Sequence, residues 1–196
     1  MGCYSPSRLL NKDLELKIKK KIIEPTLNAI NERGGVYKGF LYVGLMIKNN
    51  DPFLIEFNVR MGDPECQTIL PTLNTDLFDV LISCCDGTLN QTNIDFSRSK
   101  SICVVLCSKG YPEKFKNNIK IKDLNQIKLL KNQNIFHAGT LKTTSGLVSN
   151  GGRVLNFVST SDDFLFCRDD AINLIKKLNW KEGYFRRDIG HKVIKT

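Results

Sequence analysis

Between Phe53 and Glu65 the sequence runs FLIEFNVRMGDPE, and this stretch restricts the fold more than any other. Charged or amide side chains recur at every second position through Leu54-Ile55-Glu56-Phe57-Asn58-Val59-Arg60, which is the period of a β-strand. In a strand, Glu56, Asn58 and Arg60 share one face, about 6.5 Å apart per pair of residues. Ile55, Phe57 and Val59 take the other face and are expected to join a core. Gly62-Asp63-Pro64-Glu65 then breaks the strand with an acid-rich turn. Upstream, Tyr37 to Ile47 reads as a strand that is apolar on both faces, hence central and covered. Asn49-Asn50-Asp51-Pro52 reads as a turn. Two strands joined by a short polar turn predict an antiparallel hairpin.

The rest of the chain is arranged around this hairpin. Residues 1–10 read as a loop. Asn11 or Asp13 can cap a helix running to about Arg33, with Leu14, Ile18, Ile22 and Ile30 as its apolar stripe. Pro25 predicts a kink within it, and Gly34-Gly35 ends it. Helical segments are predicted around Cys66–Leu73 and Asp76–Cys85, with Gly87 as a stop. A polar stretch at 88–100 suggests a boundary. Beyond it the pattern is mostly strand, at 101–108, 119–121, 135–141 and 153–159, before a final helix over Phe164–Leu178 and a partly extended tail. The expected class is α+β, with a first domain over 1–95 and a second over 96–196.

Composition removes several function classes. Hydrophobic residues at 41% and charged residues at 25% of 196 match a globular chain rather than a disordered one. The longest uncharged apolar stretch, Gly39 to Ile47, falls far short of the ~20 residues that cross a bilayer. No secretory signal is evident at the start, so no membrane partner and a cytoplasmic location are expected. The seven cysteines include no CxxC pair, and with only two histidines they read as free, mostly buried thiols rather than a zinc set. Cys84-Cys85 is expected to fill core. The net charge of +9 and pI near 9.2 raise the question of nucleic acid. Lysine outnumbers arginine 21 to 8, whereas base and phosphate recognition favours arginine forks, so no nucleic-acid partner is expected.

The row Glu56, Asn58, Arg60 carries the chemistry. Hard oxygen ligands suit Mg²⁺, and a planar guanidinium suits a phosphate or carboxylate. An ordinary amphipathic strand with a wet face explains the row taken alone. The turn at 62–65 follows at once and can aim backbone N–H groups and a carboxylate at the same space. His137 reads as a satisfied, partly buried histidine rather than a base. Gly151-Gly152 suits a tight hairpin turn or close approach to a nucleotide equally well. Arg186-Arg187-Asp188 reads as a surface ion pair.

Residues 53–71, FLIEFNVRMGDPECQTILP, resemble the signature of the phosphoribosylamine–glycine ligase family, whose members are ATP-grasp enzymes of purine biosynthesis. MGCYSP at 1–6 is similar to the family's MGAYSP, and GFLYVGLMI at 39–47 to its preceding strand. SKGYP at 108–112, FHAGT at 136–140, NGGRVL at 150–155 and YFRRDIGHK at 184–192 follow in the family's order. The resemblance implies ATP-dependent joining of glycine to 5-phosphoribosylamine through an acyl phosphate, with Mg²⁺ (or Mn²⁺) as cofactor and ATP as substrate. It implies Glu56 and Asn58 as metal ligands and Arg60 as the residue for the transferred phosphate or the glycyl carboxylate. Gly62 and Asp63 map to substrate binding, Asp63 towards glycine's ammonium or the incoming amine. The implied fold is the carboxyl half of an ATP-grasp domain, an antiparallel sheet with helices, followed by a small mostly-β α+β domain. The family's amino-terminal domain and ATP clamp lie upstream of MGAYSP. The expectation is therefore a carboxy-terminal portion that needs the missing N-terminal half as its partner and is inactive alone. One departure stands out: the strand over 39–47 carries no acid, where many ATP-grasp enzymes have a second metal carboxylate. Another ATP-grasp carboxylate–amine ligase and a non-catalytic basic binding module are the alternatives.

Overall fold

The computed structural model describes residues 1–194 and is built from mixed helix and antiparallel sheet. In chain order its elements are β1 (Gly2–Ser5), α1 (Lys12–Ile18), α2 (Glu24–Glu32), β2 (Tyr42–Lys48), β3 (Asp51–Asn58), α3 (Glu65–Ile69), α4 (Leu77–Asp86), β4 (Lys100–Ser108), β5 (Gln133–His137), β6 (Thr140–Thr143), β7 (Gly146–Ser149), β8 (Arg153–Ser161), α5 (Phe164–Leu178), β9 (Gly183–Tyr184) and α6 (His191–Ile194). The chain folds as two compact units that interleave along the sequence. One comprises residues 1–5, 63–72 and 97–196; the other comprises 6–62 and 73–96. Residues 1–5 and 63–72 thus pack with the later part of the chain rather than with their sequence neighbours.

The larger unit is an antiparallel sheet ordered β1-β4-β8-β5, with β9 beside one end of β4. The run ICVVLC in β4 is fully buried because both faces of this strand are covered. On one face Ile102, Val104, Leu106, Leu155 and Phe157 pack with Cys167, Ala171, Leu174 and Ile175 of α5. On the other, Cys103, Val105, Cys107 and Val158 pack with Met1, Tyr111 and Phe136. Burying a side chain such as Phe157 contributes about 1.5–3 kcal/mol relative to leaving it in water. Helix α5 has the predicted bounds; Asp163 caps it by accepting from the Phe166 N–H at 2.7 Å.

In the second unit Asn11 caps α1 by accepting from the Leu14 N–H at 2.9 Å, and Leu14 is almost fully buried. The kink expected at Pro25 is absorbed just before it, by a π-helical turn over 19–23 that places the proline in the first turn of α2. Strands β2 and β3 form the predicted hairpin. Its turn is Asn49-Asn50, both at positive φ (52° and 58°), the conformation of a type I′ turn that asparagine tolerates. Lys17 donates to the Asn50 carbonyl at 3.0 Å, and Lys21 pairs with Asp51 at 3.3 Å, which ties helix to hairpin. Helix α4 starts at the Asp76 cap and ends at Gly87 in the left-handed region.

Several expectations are corrected. Residues 1–10 are not all loop, since 2–5 form β1 through pairing with β4. Strand β2 starts at Tyr42 rather than Tyr37 and is half-buried rather than covered, because it pairs with β3 alone. Ile55 and Val59 are 63% and 77% exposed and belong to no core. The register gives the reason: Glu56 faces Gly44 and Leu54 faces Leu45, so a bulge leaves Ile55 without a partner, while Val59 lies past the end of β3. The strand expected at 119–121 is a single bridge between Lys120 and Val148, and 135–141 divides into β5 and β6 at Ala138-Gly139. Cys85 is exposed and Cys84 half-exposed, so neither fills core. His137 is exposed at the end of β5, its Nδ1 2.8 Å from Thr140 Oγ1. No described helix is long and apolar enough to cross a membrane.

Candidate functional site

Strand β3 places Glu56 and Asn58 on one face, two residues apart, and the Asn58 amide donates to the Glu56 carboxylate at 3.0 Å. Glycine on the partner strand makes this possible. A Cβ at Gly44 would sit 3.0 Å from the Glu56 Cγ and 3.4 Å from the Glu56 carbonyl oxygen. The Glu56 side chain is exposed and Asn58 half-buried, so both oxygens can be reached from solvent. The acid-free β2 is therefore not a passive neighbour: its one glycine opposite Glu56 gives the carboxylate room.

These two residues fit a hard divalent cation as an incomplete set. A carboxylate and an amide oxygen are both hard donors, and a rotation of the Asn58 amide exchanges its hydrogen bond to Glu56 for a second oxygen facing the same point. Among the described residues no three His, Cys, Asp or Glu side chains gather closely enough to hold a metal. A cation here depends on phosphate oxygens or water for most of its ligands, as Mg²⁺ commonly does.

Arg60 departs from the expected row. Strand β3 ends at Asn58, and the Arg60 guanidinium donates to the Met61 carbonyl at 3.1 Å from an exposed position. Gly62 is buried. Asp63 belongs to the larger unit, where it is held from three directions. Its Oδ2 pairs with Arg153 Nη2 at 3.1 Å, its Oδ1 accepts from Gln67 at 3.1 Å, and its carbonyl accepts from Arg153 Nη1 at 2.6 Å. The structure thus brings Glu56 and Asn58 together in one unit and gives Asp63 partners in the other. Arg153 and Gln67 were not singled out in the sequence. The signal for Arg153 was an arginine opening a strand directly after two glycines.

Two of the thiols, Cys3 and Cys167, are tuned away from nucleophilic chemistry. Burial pushes Cys3 up to about 12, opposed by its hydrogen bond to Thr68, and Cys167 up to about 11. Arg186 donates to both carboxylate oxygens of Asp188 and holds that carboxyl down at about 2. This is the expected surface pair.

Residues 1–66 match the family model described as the ATP-grasp (A) domain of phosphoribosylglycinamide synthetase, and residues 101–192 match the one described as its C domain. A phosphoribosylamine–glycine ligase of Brucella melitensis is 34% identical over 194 residues, covering 99% of this chain and 45% of that protein. The chloroplastic phosphoribosylamine–glycine ligase of Arabidopsis thaliana is 39% identical over 199 residues, covering all of this chain and 37% of that one. The crystal structure of the Thermotoga maritima ligase superposes with a TM-score of 0.79 at 32% identity, over 97% of this chain and 46% of that one. A biotin carboxylase domain at 13% identity and a TM-score of 0.56 shares the fold. The chain therefore spans less than half the length of these relatives.

Proposed function

The chain belongs to the phosphoribosylglycinamide synthetase family, and from that premise we propose that it is the carboxy-terminal part of an ATP-dependent ligase joining glycine to 5-phosphoribosylamine. The observation that carries this reading is the Glu56–Asn58 pair, an acid and an amide held side by side on β3 opposite a glycine. Glu56 and Asn58 would hold Mg²⁺ or Mn²⁺. When bound, such an ion screens the phosphate charge of ATP and steadies the developing acyl phosphate. Arg60 contributes what an ion cannot: a planar fork that can take two oxygens of a phosphate or carboxylate at once. Gly62 and Asp63 would bind substrate, with the Asp63 carboxylate accepting from the ammonium of glycine or from the incoming amine. Catalysis of this kind is positioning and electrostatic stabilisation, so half of a site supplies little of it. The N-terminal half of the enzyme is then the partner this chain needs. We assign residues 1–95 to the ATP-grasp domain, 96–196 to the C domain, and the enzyme to the cytoplasm.

The test is Glu56→Gln in the complete ligase, with ADP release assayed against glycine, phosphoribosylamine and Mg²⁺. Loss of a metal carboxylate removes several kcal/mol of transition-state stabilisation, so turnover should fall by about 100-fold or more. Glu56 is exposed, so stability should move by less than about 0.5 kcal/mol. Turnover preserved at the wild-type Mg²⁺ requirement would defeat the metal assignment.

A further inference from the structure

We infer that Arg153 is a positioning residue for substrate, acting through Asp63; this rests on the ligase reading above. Arg153 grips Asp63 at two points, its side-chain Oδ2 (3.1 Å) and its backbone carbonyl (2.6 Å). A two-point hold on one residue fixes both where the carboxylate lies and how the turn carrying it is oriented. Gln67 takes the other carboxylate oxygen. A carboxylate has about four lone-pair sites, so two stay open to an ammonium group. The Asp63 side chain is 38% exposed, which leaves them reachable.

The surroundings of Arg153 are built to keep it still. Its carbonyl accepts from the Gly139 N–H at 2.8 Å. The two glycines before it are locked to the end of β4, where the Ser108 N–H donates to the Gly152 carbonyl and the Ser108 hydroxyl to the Gly151 carbonyl, each at 2.8 Å. The Tyr111 ring lies where a side chain at Gly152 would go, 2.0 Å from the position of a Cβ. A Cβ at Gly139 would meet the Arg153 carbonyl at 2.5 Å. The Tyr111 ring against Gly152 and the Gly139 backbone 3.2 Å from a Cβ at Gly151 therefore account for the Gly-Gly pair, whose product is an arginine anchored at the start of a central strand. Lysine cannot replace it, since one ammonium does not span the two acceptors.

The test uses the complete ligase carrying Arg153→Lys or Arg153→Met, with Arg168→Gln on α5 as a control that removes a charge elsewhere. Because Asp63 would hold the ammonium in ground and transition states alike, misplacing it should raise KM rather than lower kcat. The expected result is a glycine KM raised at least tenfold in both Arg153 variants, kcat within threefold, the KM for ATP unchanged, and Arg168→Gln like wild type. An unchanged glycine KM overturns the inference, as does an equal loss in kcat at constant KM. Loss of cooperative melting in both variants also overturns it, since Arg153 is then structural only. A wild-type enzyme with no glycine-dependent ADP release defeats the ligase reading itself, a separate outcome.

Discussion

Replacing Asn156 by valine should stabilise the larger unit. Asn156 sits in β8 with no solvent exposure, opposite Val105 of β4 and Phe136 of β5. Neither its amide nitrogen nor its amide oxygen has a hydrogen-bond partner among the described residues. Burying an unpaired polar group costs about 1–3 kcal/mol. Valine suits a central strand and continues the apolar surface of Cys103, Val105 and Val158. The expected gain is about 1–3 kcal/mol, and at roughly 2–4 °C per kcal/mol for a chain of this size the melting midpoint should rise by about 2–12 °C. The single tryptophan, Trp180, lies in the same unit and donates from its indole to the Lys120 carbonyl at 3.0 Å, so its fluorescence follows the relevant transition. Thermal and urea melts read by that signal would decide the matter. A midpoint equal to or below wild type would refute the reasoning, because the amide must then be satisfied in solution.

The remaining predictions concern titration. A carbon-13 NMR titration should find the Asp188 carboxyl midpoint near 2, and Arg186→Gln should return it towards 3.8. The folded value is the lower one, so the pair's contribution is present above about 3.8 and is lost as pH falls towards 2. Iodoacetamide at pH 8 should label exposed Cys85 well before Cys3, read by peptide mass. The Cys3 thiol lies near 12 when folded against 9 when free, so the folded state holds its proton longer and stability should decline between about pH 9 and 12.

What could be read in the sequence was what local physics decides. Helix α5 announces itself by a capping aspartate and a 3.6-residue stripe, and its bounds follow. The Asn49-Asn50 turn is legible because asparagine tolerates positive φ. Glu56 and Asn58 were legible because a strand has a fixed period and both lie inside one. Arg60 obeyed that period on paper but lies past the strand's end, and Ile55 sits on a bulge that no alternation pattern reports. Strand β1 was invisible because Gly-Cys-Tyr-Ser has no strand signature; its partner lies nearly a hundred residues on. Arg153 was missed for the same reason, since its meaning comes from Asp63, ninety residues upstream.

That long-range pairing governs how the chain can be divided. A clone cut to residues 97–196 would lose β1 and α3, both integral to the same unit. The outer rim of β4 would then offer unpaired amides and carbonyls to any passing strand, and the Cys103–Val105 side would lose the Met1 that packs on it. Such a piece should clump in the test tube. Stitching 1–5 and 63–72 back on through a short spacer should keep it dispersed.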